Sequence, residues 1–514
     1  MKQPHSVLFA TFIVSGTVLL AQNGPQSRDW KDTALADNPH LEPKMTCAAL
    51  VSQTGYDFSI VSATVVPASG DTPAYCRVSG LIEPEVRFEL GLPAVWNGRL
   101  YAFGNGGYAG EALDGPPRQA SARRALTRGF VTAQTNTGHD SITEPLGTFG
   151  SSPQKVVDYA FRAVHVTAVT AKTLAQTYYA SAPRRAYFEG CSTGGRQGLI
   201  SAQRFPEDFD GIVAGAPVLD FSGTMAGYVQ YQKALAAAPL TADATKTIAD
   251  AVVAKCDAID GVKDGVIDDP RRCSFNASTD IPRCTGDTPA SGCLTAAQLH
   301  AVDVIYSPVQ RGGATFFPGW PVGAEAGWMP WFFAPNRRGI QLDFGETYFK
   351  YLAFGRPKTD YDWMTFDVNA DLDKIQASRT LLDATNPDLS RFKTHGGKMI
   401  TYFGWADPAL NPSMGIGYYE SVMKATPGTP DFYRLFMVPG MQHCGGGAGT
   451  STFDAFTAVV QWVEKGTPPD TITAARVVDG KVIRTRPICP YPQTAIYKGT
   501  GSTDEAASFS CGVR

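Results

Sequence analysis

Short segments rich in β-branched and aromatic residues alternate with helical patterns along much of this chain. Six of these segments end in turn residues and read as strands: RLYAFGNGG, GFVTAQTNTG, RRAYFEGCS, FDGIVAGAP, KMITYFGWADP and YRLFMVPGMQHC. Residues 153–179 read as one long helix, with Ser152 as its N-cap and Pro153 at its first position, and residues 452–465 read as another. Strands that alternate with helices predict βαβ units and a largely parallel sheet, so we expect an α/β fold.

Residues 218–387 interrupt this alternation. They contain Asp-rich loops, four closely spaced Cys and many aromatic residues. The chain has 514 residues, too many for one small core. We therefore interpret residues 218–387 as a domain inserted between two parts of the α/β domain, residues 22–217 and 388–514.

The overall charge argues against a polyanionic partner. The sequence has 45 Lys and Arg against 48 Asp and Glu, which leaves a net charge of −3. Such a balance provides no basic surface for nucleic acid or an anionic membrane. We expect no nucleic-acid partner and a small or neutral ligand.

The N-terminal segment has the pattern of a secretory signal peptide. One Lys precedes an apolar stretch from Val7 to Leu20, and Ala21 stands before polar residues. An anchoring helix is the alternative, but the apolar stretch is short for a bilayer. We predict that residues 1–21 are removed and that the mature protein is secreted or periplasmic, without membrane contact.

The cysteine content agrees with export. All ten Cys follow residue 21, and no CxxC pair occurs among them. An even number of Cys in an exported chain favours disulfides over metal-bound thiolates, and the spacing argues against a zinc ribbon. These arguments leave the pairing open.

The segment Gly190–Gly194 has the sequence G-x-S-x-G between a strand and a helix, which is typical of a nucleophile elbow around Ser192. The pattern alone is weak, since chance produces it about once in three chains of this length. In this context the N–H of Thr193 would face a developing oxyanion. Gly106 or Gly107, in the glycine-rich turn after an earlier strand, would donate the second N–H, although a flexible loop is the alternative there.

A nucleophilic serine requires a base and an acid that orients the base. Among the histidines after Ser192, His300 and His395 lie in helical or loop patterns, whereas His443 follows the strand YRLFMVPG. Asp407 follows the strand in KMITYFGWADP, which gives the chain order Ser, acid, His. We predict His443 as the base and Asp407 as the acid; an Asp in a surface turn is the alternative for Asp407.

A cysteine stands directly beside two of these residues. Cys191 precedes Ser192, and Cys444 follows His443. A disulfide between them would fasten the turn of the nucleophile to the loop of the base. The alternative is two separate buried thiols.

The motifs GCSTGG, GWADP and PGMQHCGGG resemble those of the tannase and feruloyl esterase family, which also includes mono(2-hydroxyethyl) terephthalate hydrolase. The similarity extends from about Cys47 to Cys511. It implies an α/β-hydrolase fold with a large inserted lid domain at residues 218–387. It also implies a catalytic triad and a bonded cysteine pair, namely Ser192, Asp407 and His443 with Cys191–Cys444.

The loop CDAIDGVKDGVIDDPRRC carries three carboxylates within eight residues, interleaved with glycines. Hard oxygen ligands of this kind suit Ca²⁺, although a solvated acidic turn is an equal alternative on the pattern alone. The family resemblance implies a structural Ca²⁺ site whose ligands are Asp257, Asp260, Asp264 and the carbonyls of Val262 and Val266. The same resemblance implies four further disulfides: Cys47–Cys76, Cys256–Cys273, Cys284–Cys293 and Cys489–Cys511.

Family membership further implies an aromatic ester as the substrate. Its acid is ferulate or another hydroxycinnamate, gallate, or in rare members a terephthalate monoester. Thr193 resembles the feruloyl esterases and tannases, whereas the terephthalate monoester hydrolase has Glu at that position. We expect a feruloyl esterase first and a tannase second, acting on a small aromatic ester, free or attached to plant cell-wall polysaccharide.

The aromatic residues of FFPGWPVGAEAGWMPWFF have two interpretations. They either stack on an aromatic acyl group above the serine or form core. Two other functional classes also stay open. A calcium-dependent carbohydrate-binding protein on an inactive hydrolase fold would have lost a triad member, and all three are present. A thiol enzyme would require Cys191 to be free.

Overall fold

The structure, a computed structural model, describes residues 38–335 and 337–514. The predicted signal peptide lies outside these residues. The strands are β1 (Phe58–Val66), β2 (Tyr75–Ile82), β3 (Val86–Pro93), β4 (Arg99–Phe103), β5 (Val131–Thr135), β6 (Arg185–Cys191), β7 (Gly211–Gly215), β8 (Val309–Arg311), β9 (Ala314–Phe317), β10 (Phe333–Ala334), β11 (Arg337–Arg338), β12 (Lys398–Gly404), β13 (Tyr433–Val438), β14 (Ile472–Val478), β15 (Lys481–Ile488), β16 (Thr494–Tyr497) and β17 (Phe509–Gly512).

Nine of these strands form one central sheet, in the order β1-β2-β3-β5-β4-β6-β7-β12-β13. The first three pair antiparallel with their neighbours, and every pair from β5 to β13 is parallel. All residues of β4, β5 and β7 are buried, as expected for parallel strands covered on both faces. The six segments that read as strands in the sequence supply the parallel part, and the predicted α/β fold is confirmed.

Helices pack against the central sheet. They are α1 (Pro116–Leu126), α2 (Pro153–Val157), α3 (Ala163–Tyr179), α4 (Thr193–Arg204), α5 (Phe221–Ala237), α6 (Ala242–Cys256), α7 (Ala277–Asp280), α8 (Ala296–Tyr306), α9 (Trp328–Trp331), α10 (Ile340–Tyr351), α11 (Val368–Asp371), α12 (Gln376–Leu382), α13 (Ser390–His395), α14 (Ser413–Ala425) and α15 (Ala455–Lys465). In the described part of the chain, none of them is both long and apolar enough to cross a membrane.

Two helix predictions need correction. The helix expected at residues 153–179 is interrupted by a π-helical turn at Asp158–Arg162, between α2 and α3. Such a turn inserts one residue into the helical ladder and is invisible to a pattern of apolar spacing. The helix expected from residue 452 begins at Ala455, because the Asp454 carboxylate accepts the N–H of Thr457 at 2.8 Å and caps the helix there.

The described residues between β7 and β12 add no strand to the central sheet. They form α5 to α13 and the two short hairpins β8–β9 and β10–β11. Most of their buried apolar residues belong to the same buried cluster as those of the sheet. The boundaries of the inserted domain at residues 218 and 387 stay a prediction.

Two buried carboxylates lie at the start of this intervening segment and near its end. Asp220 caps α5 by accepting the N–H of Gly223 at 2.9 Å, and Asp383 accepts the N–H of Ser222 at 2.9 Å. Arg379 lies 3.4 Å from Asp383. Burial and the repulsion from Asp383 raise the pKa of Asp220 from 3.8 to about 7, and burial also raises the pKa of Asp383. The two carboxylates therefore lie together at the start of one helix, where burial favours their protonated forms.

All ten Cys lie in the described residues and are paired. The five disulfides are those implied by the family resemblance: Cys47–Cys76, Cys191–Cys444, Cys256–Cys273, Cys284–Cys293 and Cys489–Cys511. The second joins the end of β6 to the loop after β13, across 253 residues of sequence. Because Cys191 is bonded, a mechanism with Cys191 as a free thiol does not fit this structure.

Candidate active site

Ser192 lies in a tight turn between β6 and α4. Its backbone has φ 64° and ψ −121°, a conformation that non-glycine residues rarely adopt. Its N–H donates to the carbonyl of Gly215 at 2.9 Å, and this contact holds the turn. A Cβ atom on Gly190 would lie only 2.7 Å from the backbone of Gly194. The small flanking residues and the strained serine are the features of a nucleophile elbow.

His443 and Asp407 follow the two neighbouring strands β13 and β12. The imidazole Nδ1 of His443 lies 2.8 Å from Oδ2 of Asp407. The other carboxylate oxygen accepts the backbone N–H groups of Ala409 at 2.8 Å and Leu410 at 2.9 Å. Asp407 is fully buried, and these contacts orient its second oxygen toward the histidine. This arrangement holds the proton on Nδ1 and leaves Nε2 as the basic nitrogen.

Ser192 and His443 both lie in the wall of one cavity. The ring of Trp331 contacts the His443 ring edge to face, with the two centroids 5.5 Å apart. His300 and His395, in contrast, lie exposed on α8 and α13. The structure therefore brings together the three residues predicted as a triad and leaves the other two histidines on the surface.

The glycine-rich loop after β4 lies beside Ser192. Gly106 and Gly107 both line the cavity, as does Thr193 at the first position of α4. The N–H of Gly106 donates to Glu111 Oε1 at 2.9 Å and is not available to a substrate. Within residues 38–335 and 337–514, no acceptor takes the N–H of Gly107, whose φ of 51° suits glycine. Of the two candidate glycines, Gly107 is thus the better second donor beside Thr193.

The remaining wall of the cavity is apolar. It consists mainly of side chains from α5, α10 and the loop after β12, namely Phe221, Met225, Tyr228, Ile340, Phe344 and Leu410. The cavity-lining residues of the described chain include no Lys, Arg, Asp or Glu. The two phenol hydroxyls are already bonded, that of Tyr108 to the Phe344 carbonyl at 3.1 Å and that of Tyr228 to the Ala409 carbonyl. The cavity thus suits a flat apolar group next to Ser192.

The family model for tannase and feruloyl esterase matches residues 72–512 of this chain. The chain belongs to the tannase and feruloyl esterase family. Feruloyl esterase B from Aspergillus oryzae, a solved structure, superposes with a TM-score of 0.80 at 28% identity, over 91% of this chain and 99% of that one. This likeness identifies the sheet with its helices as an α/β-hydrolase fold, as predicted.

Curated relatives agree with this assignment. An uncharacterized esterase from Xanthomonas campestris is 35% identical over 90% of this chain and 91% of its own length. The mono(2-hydroxyethyl) terephthalate hydrolase of Piscinibacter sakaiensis is 34% identical over 92% of each chain. As a member of the tannase and feruloyl esterase family, the protein is a carboxylic ester hydrolase.

Most of the aromatic residues in the stretch FFPGWPVGAEAGWMPWFF belong to the core of the protein. Phe317, Trp320, Trp328 and Phe332 are fully buried, and only Trp331 of that stretch lines the cavity. Trp320 still supports the site, because its Nε1 donates to the Asp407 carbonyl at 3.0 Å. The wall residues of α5 were missed, although Phe221, Met225 and Tyr228 recur at spacings of four and three residues. That spacing also describes ordinary core.

The predicted calcium loop is closed by the Cys256–Cys273 disulfide. Oδ1 of Asp257 accepts the N–H groups of Asp264 at 3.1 Å and Gly265 at 3.0 Å. Oδ2 of Asp264 pairs with Arg486 at 2.6 Å.

The carboxylate and carbonyl oxygens of this loop are the donors that Ca²⁺ prefers. The described residues nevertheless include no cluster of three His, Cys, Asp or Glu side chains drawn together as for a metal ion. The donor chemistry therefore fits Ca²⁺, and the site, with Asp257, Asp260, Asp264 and the carbonyls of Val262 and Val266, stays a prediction.

Proposed function

We propose that this protein is a secreted serine carboxylesterase that hydrolyses esters of hydroxycinnamic acids, as a feruloyl esterase does. The main support is the convergence of Ser192 and His443 on one apolar cavity, with Asp407 bonded to the histidine. Membership of the tannase and feruloyl esterase family supports the reaction class.

In the proposed mechanism, Nε2 of His443 takes the proton of the Ser192 hydroxyl as its oxygen attacks the ester carbonyl. Asp407 holds the imidazole and stabilises the imidazolium that forms. The N–H groups of Thr193 and Gly107 bind the oxyanion, and His443 then protonates the leaving alcohol. Water activated by the same histidine releases the aromatic acid and regenerates Ser192.

The cavity wall supports the preference for a hydroxycinnamate. A galloyl group would bring three hydroxyls against a largely apolar wall, and each polar group left unpaired there costs about 1–3 kcal/mol. A terephthalate monoester would bring an ionised carboxylate to a wall without a cation. Thr193, where the terephthalate monoester hydrolase has Glu, also argues against that activity. Tannase activity is therefore the second candidate, and terephthalate monoester hydrolysis follows it.

Export and substrate attachment are further parts of the proposal. The signal-peptide pattern of residues 1–21 and the five disulfides support an extracellular or periplasmic protein. In that compartment the substrate is a small aromatic ester, free or attached to plant cell-wall polysaccharide. We further propose that Ca²⁺ binds the loop at residues 257–266 and stabilises the fold without taking part in the reaction.

The test is a comparison of methyl ferulate, methyl gallate and mono(2-hydroxyethyl) terephthalate as substrates. We expect the highest kcat/KM with methyl ferulate and a loss of at least a thousandfold in kcat for Ser192→Ala. Ser201→Ala is the matched control, because Ser201 is buried in the same helix and its hydroxyl donates to the Gln197 carbonyl at 2.9 Å. Full activity of Ser192→Ala would overturn the mechanism, and a preference for either other ester would overturn the substrate assignment.

A further inference from the structure

The loop after β4 contains a buried ion pair that the proposed reaction does not use. The Glu111 carboxylate lies 2.8 Å from Nη1 of Arg118 on α1, and the side chains are only 12% and 8% exposed. Oε1 of Glu111 accepts the N–H of Gly106 at 2.9 Å, and Oε2 accepts the side-chain amide of Asn105. A buried carboxylate is costly unless it is paired and hydrogen-bonded, and this one has three donors.

Arg118 extends the same network to the start of the loop. Its Nη1 donates to the Gly104 carbonyl at 3.2 Å, and its Nε donates to Oε1 of Gln134 on β5 at 2.7 Å. Together, Glu111 and Arg118 bind the backbone or side chain of three consecutive residues, 104–106. The loop is thereby fixed to β5 and α1 immediately before Gly107.

The peptide that carries the candidate oxyanion donor is fixed on both sides. The Gly106 carbonyl accepts the N–H of Ala109 at 2.8 Å. Because a trans peptide is planar, the Gly107 N–H of that same peptide points in the opposite direction. The Gly107 carbonyl in turn accepts the hydroxyls of Thr193 and Tyr159, the latter at 3.2 Å. The orientation of the Gly107 N–H thus depends on bonds to the peptides before and after it.

We infer that Glu111 is a positioning residue for acyl transfer, whose carboxylate holds the Gly106 N–H and so aims the Gly107 N–H at the oxyanion. The inference rests on the proposed serine esterase function. An oxyanion donor accelerates the reaction because it is in place before charge develops. A Gln at position 111 would present an amide N–H₂ to Arg118 or Asn105, both donors, and the loop would shift.

The experiment measures kcat and KM of Glu111→Gln with 4-nitrophenyl acetate, together with inhibition by phenylboronic acid and by ferulic acid. Phenylboronic acid forms a tetrahedral adduct with a serine, whereas ferulic acid resembles only the bound ground state. We expect kcat to fall about 10- to 100-fold, with KM changed less than about twofold. Affinity for phenylboronic acid falls by a similar factor, and that for ferulic acid is retained. If Glu111 had a purely structural role, its replacement would weaken the binding of both inhibitors to a similar extent.

Glu464→Gln is the matched control. Glu464 forms a buried pair with Arg99 at 2.6 Å, at the opposite end of β4 from the glycine-rich loop. The control removes the same charge from the same kind of pair, and we expect it to lower the melting temperature but to keep kcat. Glu111→Asp is the second variant: it keeps the charge for Arg118 but draws the carboxylate about 1.5 Å away from the Gly106 N–H.

The outcomes separate the inference from the proposed function. Ser192-independent or absent hydrolysis by the wild-type protein would overturn the function and, with it, the inference. An active wild-type protein with unchanged kcat in folded Glu111→Gln would overturn the inference alone. If Glu111→Gln does not fold, the kcat of Glu111→Asp decides, and full activity of that variant overturns the inference. Failure of both variants to fold would also overturn it, because Glu111 would then serve folding.

Discussion

Removing the Cys191–Cys444 disulfide should cost more stability than removing Cys47–Cys76. The first bond closes 253 residues of sequence and the second closes 29. In the chain-entropy treatment, such loops correspond to about 5.5 and about 3.6 kcal/mol at 25 °C, a difference of about 2 kcal/mol. The four cysteines are comparably buried, between 2% and 8% exposed. Replacing either pair with two alanines therefore removes a similar amount of packing. The difference between the unfolding free energies of the two double variants then reports the effect of loop length.

The assay is urea unfolding of the two double Cys→Ala variants under oxidising conditions, followed by tryptophan fluorescence. The kcat for methyl ferulate is measured alongside. Cys191 and Cys444 adjoin Ser192 and His443, and a displacement of about 1 Å costs up to about a hundredfold in rate. Cys76 pairs with Leu92 at the edge of the sheet away from the active site.

We therefore expect kcat to fall at least tenfold in the first variant and to stay near the wild-type value in the second. Equal losses of unfolding free energy would refute the loop-length argument. Unchanged kcat without Cys191–Cys444 would show that the catalytic geometry does not need the bond.

Three further predictions concern the helices between β7 and β12 and the acidic loop at residues 257–266. Asp220 has a folded pKa of about 7, above its ordinary 3.8, so its contribution to stability is complete below pH 4 and is lost as the pH rises through 7. Asp220→Asn should therefore raise the melting temperature at pH 8 and flatten its dependence on pH; an unchanged slope contradicts this assignment. If Ca²⁺ binds the acidic loop, a free Ca²⁺ concentration of 100 times its Kd should raise the free energy of unfolding by about 2.7 kcal/mol. Asp257→Asn should abolish this increase. Calorimetry with Ca²⁺, with Mg²⁺ and with EDTA checks both expectations. Trp331→Ala should raise the KM for methyl ferulate about tenfold and leave 4-nitrophenyl acetate nearly unaffected, because only the larger acyl group reaches that ring; equal changes for both esters would contradict it.

The candidate catalytic residues could be located from the sequence because each stands directly after a strand that the sequence identifies. Ser192 lies in a short motif that needs glycine, because a Cβ atom on Gly190 would clash with the backbone of Gly194. Asp407 and His443 follow two segments with the composition of strands. In a parallel sheet such strand ends meet at one edge, so position along the chain translates into proximity. The adjacency of Cys191 to Ser192 and of Cys444 to His443 suggested one disulfide, whereas the other four pairs were implied only by the family resemblance.

The rest depends on contacts that no local pattern records. Phe221 and Phe344 line the cavity, but they have the spacing of ordinary core residues on α5 and α10. Glu111 lies in an irregular loop, and its partner Arg118 is known only once α1 has folded against β5. The π-helical turn at Asp158–Arg162 places the Tyr159 hydroxyl on the Gly107 carbonyl, within a segment that reads as uniform helix.

The candidate catalytic residues and the apolar wall of the cavity lie in different parts of this chain. Ser192, Asp407 and His443 follow strands of the central sheet, whereas much of the apolar part of the cavity wall comes from α5 and α10, between β7 and β12. A mutational library confined to those two helices would therefore change the shape of the cavity but leave Ser192, Asp407 and His443 unchanged. Under the proposed function, substitutions on these two helices should therefore change which ester is preferred more readily than they abolish hydrolysis.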